Sequence, residues 1–415
     1  MSSKKWRKVA LVAVIFVAWV VAYADRIVMS TAVIPIAQEF RLNDQERGYV
    51  LGAFYLTYAF MQLGGGWLAD RHGAKRVLTA CIVMWSIFTA LTGMSWSFAS
   101  LLVIRLLFGI GEGGFAPANA VAIAENFEKR ERGRVQSLMS STVFLGNAAG
   151  SIFVATVIAA YGWRWTFPAL GVCGVMVAAA FVFMLEPRRR TRVDRNSSST
   201  QNRAQYMQLL RNPLTWRVGL IWFCSSTLFL GLQSWMPSYL LKVRGIDIQH
   251  IGVASTIPYV VAFFGTNAVG LVIDKAGAQR SRPLMACGAL LCALFLILMM
   301  TTSSLPLLVL YWTLCIGAFT MVYATVFTVP LKFFPNEHVG SATGLINFGG
   351  QMAGFIAPVI MGHLIGAFNG SYVGAFCYLV LSAAIACVIA CTLKTPSASQ
   401  DPGARGLGQP AIGDA

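Results

Sequence analysis

The chain has 415 residues, of which 57% are hydrophobic and 12% charged, and its mean hydropathy is +0.65. Soluble domains carry about 25% charged residues, so this composition excludes a water-soluble enzyme and describes an integral membrane protein. The formal net charge of +16 would raise nucleic acid as a partner in a soluble chain, and only the placement of the charges can decide that.

In chain order, apolar runs of about the 20 residues needed to cross a bilayer fall at 9–37, 48–69, 76–95, 98–124, 135–160, 166–185, 214–240, 249–273, 284–301, 305–330, 339–366 and 371–393. The first begins behind Lys4, Lys5, Arg7 and Lys8 and contains Ala22, Tyr23 and Ala24, an imitation of a signal-peptide cleavage site. The apolar stretch resumes after Arg26, so we read an uncleaved span with Asp25 and Arg26 just beyond its midpoint, Tyr23. The second span carries Phe54, Tyr58 and Gln62 and runs into the segment GWLADRHGAKR at 66–76. Glu112 lies at the centre of the fourth span. Arg105, seven positions earlier, is nearly two turns away on the same face, roughly 10 Å along the axis.

The long connection from Glu186 to Arg211 is polar, with Arg188, Arg189, Arg190 and Arg192 followed by NSSST. It divides the chain into an expected six-helix bundle at 1–187, a linker at 188–211 and a second six-helix bundle at 212–394. The Gly/Pro/Ser-rich tail at 395–415 is expected to be disordered. In the second half, span seven contributes Gln233, Trp235 and Tyr239 as candidate substrate contacts. Span eight runs into GLVIDKAGAQR at 270–280, span ten carries Tyr323 and Phe327, candidates of the same kind, and span eleven carries Asn347 in INFGG. The nine cysteines fall within spans and the four histidines, His72, His250, His338 and His363, are widely scattered. No disulfide, metal site or bound cofactor is therefore expected. No phosphate-cradling loop suggests ATP drive, which leaves an ion gradient, here of protons, as the expected energy source.

With the amino terminus placed in the cytoplasm, 25 of the 32 basic residues fall on cytoplasmic segments, five on external ones (Arg41, Arg47, Arg164, Lys242, Arg244) and two inside spans. Ten acids are cytoplasmic, four external and two within spans. The basicity thus follows the positive-inside rule, aided by anionic lipid, and nucleic acid is not an expected partner. The expected partners are the lipid bilayer, a small organic anion and protons. We expect a monomer in a bacterial inner membrane with both termini cytoplasmic.

The segments at 66–76 and 270–280 share G-x-x-x-D-[RK]-x-G-x-x-R at an offset of 204 residues, in equivalent places of the two halves. Parallel six-helix repeats with substrate held between them define one large transporter architecture. On these motifs the chain resembles the major facilitator superfamily, and the resemblance covers essentially its whole length. It implies an all-α membrane fold of 12 transmembrane helices in two six-helix repeats. It also implies that the loop residues Gly66, Asp70, Arg71, Gly73 and Arg76, with Gly270, Asp274, Gly277 and Arg280, act as a conformational latch. In that latch Asp70 would face a helix N-terminus of the other half, with Arg71 and Arg134 competing for it.

A charge at the bilayer centre costs about 2.5–3.5 kcal/mol on insertion scales, yet this chain keeps Asp25, Arg26, Arg105 and Glu112 in its spans. One reading is structural, with Arg26 paired to Asp25 and Arg105 to Glu112. The other is functional, since ionisable groups within a membrane mark transport pathways and buried pairs are weak stability devices. The second half supplies no mid-span charge, so ion coupling is expected in the first. The combination of Tyr23, Asp25 and Arg26 with Phe54, Tyr58 and Gln62 and with Arg105, Glu112, Gly113 and Pro117 resembles the anion:cation symporter branch. That branch includes bacterial galactonate, glucarate and hexuronate carriers. The resemblance also places Asn347 at a substrate-contacting position, whereas Val143 stands where sugar-acid members have a Gln, which leaves a less polar acid open.

The expected function is proton-coupled symport of a sugar acid or other carboxylate. Arg26, with Arg105, would grip the carboxylate, Glu112 and Asp25 would carry the proton, and Tyr23, Tyr58 and Asn347 would contact the substrate. A proton-independent exchanger or facilitator and a drug-type proton antiporter share the fold and remain as alternatives at this point.

Overall fold

The computed structural model describes residues 3–184, 209–276, 280–333 and 339–393, and the elements found there are helical. In the first half they are α1 (Ser3–Phe40), α2 (Asp44–His72), α3 (Ala74–Thr92), α4 (Phe98–Gly113), α5 (Phe115–Asn126), α6 (Lys129–Tyr161) and α7 (Trp163–Met184). The second half has α8 (Pro213–Arg244), α9 (Ile248–Ala276), α10 (Ser281–Thr301), α11 (Leu305–Val326), α12 (Thr328–Phe333), α13 (Val339–Ala367) and α14 (Val373–Thr392). Each expected span falls on one of these helices, the fourth on α4 with α5 and the tenth on α11 with α12. The expected tail at 395–415 and the expected linker up to residue 208 lie outside the described residues.

Among the described residues eleven helices are long and apolar enough to cross a membrane by length and composition. The crossing element outside that set is α2, whose first turns carry Asp44, Glu46 and Arg47 and whose later turns carry Gln62 and three successive glycines, Gly64 to Gly66. Its 29 residues still exceed what a bilayer requires, and other helices bury much of its surface. Twelve crossings bring the chain back to the end at which it entered. We call this the near end and the other the far end.

Local chemistry sets the helix limits. Asn43 caps α2 reciprocally: its Oδ1 accepts from the Glu46 amide at 2.9 Å, and the Glu46 carboxylate accepts from the Asn43 amide at 2.9 Å, which satisfies two otherwise orphaned donors. Between α2 and α3 the chain turns at a single residue, Gly73, with φ +87°, a conformation that costs an L side chain strain. The fourth span breaks at Gly114 because Pro117 has no amide hydrogen to donate to the Gly113 carbonyl four residues back. The tenth span breaks in the same way at Phe327, three residues before Pro330.

Within the first half α1 packs on α6, α3 on α7 and α2 on α4. Within the second α8 packs on α13 and α14, and α10 on α11 and α14. The halves meet chiefly along α2–α13 and α6–α9. Glycines let these backbones approach. A Cβ at Gly48 would lie 2.6 Å from the Pro358 carbonyl oxygen, one at Gly52 2.8 Å from that of Phe355, and one at Gly252 2.9 Å from that of Ser151. Further along the α2–α13 seam Asn347 donates to Gln62 at 2.9 Å. Beyond that point the helices part, for a Cβ at Gly64 or Gly344 would meet nothing within 4 Å. The halves are therefore pressed together at the far end and splayed at the near end.

This asymmetry predicts that Gly64→Cys and Gly344→Cys react with a water-soluble maleimide several-fold faster than Ser151→Cys and Thr256→Cys in the closed seam. Equal rates, measured over the background of the native thiols, would contradict it.

Candidate functional site

The four charges of the first half meet at mid-depth. Asp25, Arg26, Arg105 and Glu112 are 3%, 9%, 3% and 1% exposed. Arg26 on α1 donates from Nε to Glu112 Oε1 on α4 at 2.8 Å, and its Nη2 lies 2.6 Å from the same oxygen. The structural reading that paired Arg26 with Asp25 and Arg105 with Glu112 is thus corrected: the ion pair joins α1 to α4. The second Glu112 oxygen is buried without a hydrogen-bond partner, as are both Asp25 oxygens and Arg105 Nε. Asp25 and Arg105 are near enough to interact electrostatically, but no hydrogen bond joins them.

Aromatic faces complete the solvation of the two guanidiniums. Arg26 lies 4.4 Å from the ring of Tyr58, 4.7 Å from that of Tyr23 and 5.3 Å from that of Phe54. Arg105 lies 4.8 Å from the ring of Phe108 and shares Phe54 at 5.5 Å. A desolvated cation over a π face is attracted by the ring quadrupole, which offsets part of the lost hydration. Tyr23 and Tyr58 thus present their ring faces to Arg26.

Asn347 joins this group through a polar line across the two halves. Gln62 donates to the Tyr58 hydroxyl at 2.9 Å, Asn347 donates to Gln62 at 2.9 Å, and Gln351 donates to Asn347 Oδ1 at 3.5 Å. Gln62 and Gln351 were not among the expected contacts, although Gln62 lies one turn after Tyr58. On α6 Val143 is 8% exposed, as an apolar wall residue would be. One turn on, fully buried Asn147 accepts from Gln233 of α8 at 3.2 Å and keeps its own amide nitrogen unpartnered.

At the far end the structure places a residue that sequence alone counted only as an external charge. Arg47 is 2% exposed. It contacts Asp44 at 2.6 Å, donates across the halves to Ser238 at 2.6 Å, and lies 5.1 Å from the ring of Trp235. Lys242 reaches Asp44 from the second half at 3.1 Å, and Trp235 donates to the Pro358 carbonyl at 3.1 Å. Trp235 and Tyr239, candidates for the binding site, belong instead to this seal: Tyr239 accepts from Arg244 at 3.1 Å and packs against Tyr372.

Of the loop motifs, Gly73 makes the turn and Arg71 is exposed, over the Trp67 ring at 5.2 Å. Arg76 and Arg280 are exposed, Gly66 has only Pro117 nearby, and Gly270 has open space. The side chains of Asp70, Arg134 and Asp274, and Gly277 as a whole, lie outside the described residues.

A family model described as the Major Facilitator Superfamily matches residues 14–358 and, in a second match, 280–413. The chain belongs to this superfamily. Several relatives are carriers of organic acids. The probable sulfoacetate transporter of Cupriavidus necator is 31% identical over 372 residues, spanning 85% of this chain and 86% of its own length. The probable galactarate/D-glucarate transporter of Escherichia coli is 28% identical over 407 residues, with 89% and 91% covered. The hexuronate transporter of Bacillus subtilis is 27% identical over 385 residues, with 89% and 90% covered. These relatives agree with the anion:cation symporter branch that the motifs resemble. Among solved structures, a bacterial homologue of the human lysosomal transporter Spinster superposes with a TM-score of 0.80 at 19% identity, covering 94% of this chain and 96% of its own. At that identity the likeness establishes the major facilitator fold. The superfamily and these relatives are transporters, and this member is a transporter rather than an enzyme.

Replacing Arg47 by Ala removes the contacts to Ser238 and Trp235 while Lys242 still reaches Asp44. The expected result is that Ser151→Cys in that background gains maleimide reactivity from the far side. Unchanged reactivity would show that the helix seam alone keeps that end shut.

Proposed function

We propose that this transporter carries an organic carboxylate, a sugar acid or another acid, into the cell in symport with protons. The observation that carries the reading is the buried ion pair between Arg26 and Glu112. An arginine held by an internal carboxylate is an anion site already occupied by its own counter-ion, and a substrate carboxylate must compete for it. Protonation of Glu112 removes the competitor and frees the bidentate fork of Arg26 for the incoming anion. Burial favours the neutral acid, while the adjacent guanidinium favours the carboxylate. Proton affinity therefore rises when Arg26 turns to the substrate, and coupling follows from that exchange of partners. Asp25, beside Arg105, is the second proton carrier, and its unpartnered oxygens fit that role. The organic acids named for the relatives support the substrate class.

The positive-inside distribution makes the near end cytoplasmic, so both termini face the cytoplasm and the splayed arrangement is inward-open. Proton and anion load from the outside, the halves rock about Arg26, and the anion leaves first on the cytoplasmic side. The proton then follows and the pair reforms. The loop residues Asp70, Arg71 and Asp274 bias this rocking as a latch at the cytoplasmic end. A monomer in the bacterial inner membrane, driven by the proton gradient with no bound cofactor, is sufficient for the cycle.

Two measurements test the scheme in proteoliposomes. Glu112→Gln is expected to lose accumulation driven by an imposed pH gradient while retaining some exchange of anion for anion; wild-type accumulation would remove Glu112 from the mechanism. Arg26→Ala is expected to lose anion binding, and wild-type affinity in a titration would refute the clamp. A pH gradient without effect on the native protein would favour a proton-independent exchanger.

A further inference from the structure

The face that the second half turns toward Arg26 carries no charge at mid-depth among the described residues. It presents a run of aromatic rings instead. Trp222 of α8 stacks on Phe319 of α11 at 6.0 Å and 25°, meets Phe327 edge-on at 5.1 Å, and lies 5.7 Å from Tyr323. Tyr323 carries the run to the first half, with its ring 5.7 Å from Phe144 and its hydroxyl donating to the Ser140 carbonyl at 3.2 Å. On the other flank the pyrrole edge of Trp222, Nε1 nearest, packs on Gly350, leaving no room for a Cβ there. Gly350 is one turn from Asn347, which reaches the Tyr58 ring at Arg26 through Gln62, so the aromatic run adjoins the candidate site.

Exposure distinguishes this wall from ordinary core: Tyr323 and Phe327 keep part of their surface exposed next to the splayed end, whereas Phe144 and Phe319 behind them are buried.

The polar inventory limits what can lie against the wall. A sugar acid brings a hydroxyl on nearly every carbon, and each one buried unpaired costs affinity. Around the wall the amides of Asn347 and Gln351 and the Tyr323 hydroxyl already bond to protein groups, and on α6 Val143 is apolar while Asn147 keeps one unpartnered amide nitrogen. A second carboxylate or a sulfonate would face carbon rather than a cation.

We propose that the substrate is an aromatic monocarboxylate, with its carboxylate on Arg26 and its ring against Trp222, Tyr323 and Phe327. This rests on the organic-anion reading above and narrows it. Trp222, Tyr323 and Phe327 are then specificity-determining residues. A planar ring gains offset or edge-on contacts here that a polyol does not.

The test is a binding titration of the purified full-length protein with benzoate, phenylacetate, D-galactonate and sulfoacetate at equal ionic strength. One of the two aromatic acids is expected to bind about ten-fold more tightly than the other acids. Arg26→Ala should abolish that binding, and Trp222→Leu or the part-exposed Phe327→Leu should erase the preference. Tighter binding of D-galactonate or sulfoacetate, lost in Arg26→Ala, overturns the aromatic body and leaves the carboxylate clamp standing. A preference that survives both wall variants overturns the wall. Binding that survives Arg26→Ala, or no binding of any of the four acids by correctly folded native protein, overturns the anion reading and this proposal with it.

Discussion

The ion pair between Arg26 and Glu112 is the constraint around which the rest of the molecule is arranged. Neither charge belongs in hydrocarbon, and each is tolerated because the other is within 3 Å and aromatic faces cover what remains. Both partners come from the same half, on α1 and α4, so the pair can open and close without the halves separating. This placement suits a coupling element. Removing one partner strands the other in a medium that penalises it, and any event that occupies one partner is felt at once by the second. Asp25 and Arg105 extend the same logic, for their unpartnered atoms leave a second acid and base beside the first pair.

The seams around this centre supply the other requirement of a carrier, access from one side at a time. At the far end closure uses two kinds of contact. Glycines allow backbones to touch along α2–α13 and α6–α9, and Arg47 crosses the gap as a buried cation shared between Asp44, Ser238 and the Trp235 ring. At the near end the helices diverge just past Gln62 and Asn347. The polar line from Tyr58 to Gln351 therefore marks the boundary between the closed and open parts of the interface, at the level where an occupant would lie.

Much of this was legible in the sequence because it depends on local pattern. Spans follow from runs of apolar residues, orientation from the side on which bases accumulate, duplication from two copies of one loop motif, and the functional centre from four charges where hydrocarbon should forbid them. What was not legible depends on which helices touch. That Arg26 takes Glu112 rather than its neighbour Asp25 is decided by the tertiary fold, which lets the two side chains of α1 and α4 reach each other inside the first half. Arg47 lies only a few residues inside α2 and reads as a loop charge, since its burial is imposed by α8 and α13, nearly two hundred residues or more away. Trp235 and Trp222 are alike in sequence, two tryptophans of one membrane helix, and only the partners from α13, the Pro358 carbonyl for one and Gly350 for the other, separate their roles. The loop motif was read from sequence, but its acidic side chains lie outside the described residues.

The break in the fourth span has a mechanical meaning. The hydrogen-bond ladder is interrupted just after Glu112, where Pro117 leaves the Gly113 carbonyl without a donor, and the tenth span has a matching interruption around Phe327 and Pro330. A helix bends most cheaply where its ladder is already missing a rung. Each half thus carries its own joint below the centre, and the segments beyond it, α5 and α12, can swing toward each other while the upper segment that holds Glu112 stays in register with Arg26. The door and the chemistry are hung on opposite sides of the same hinge.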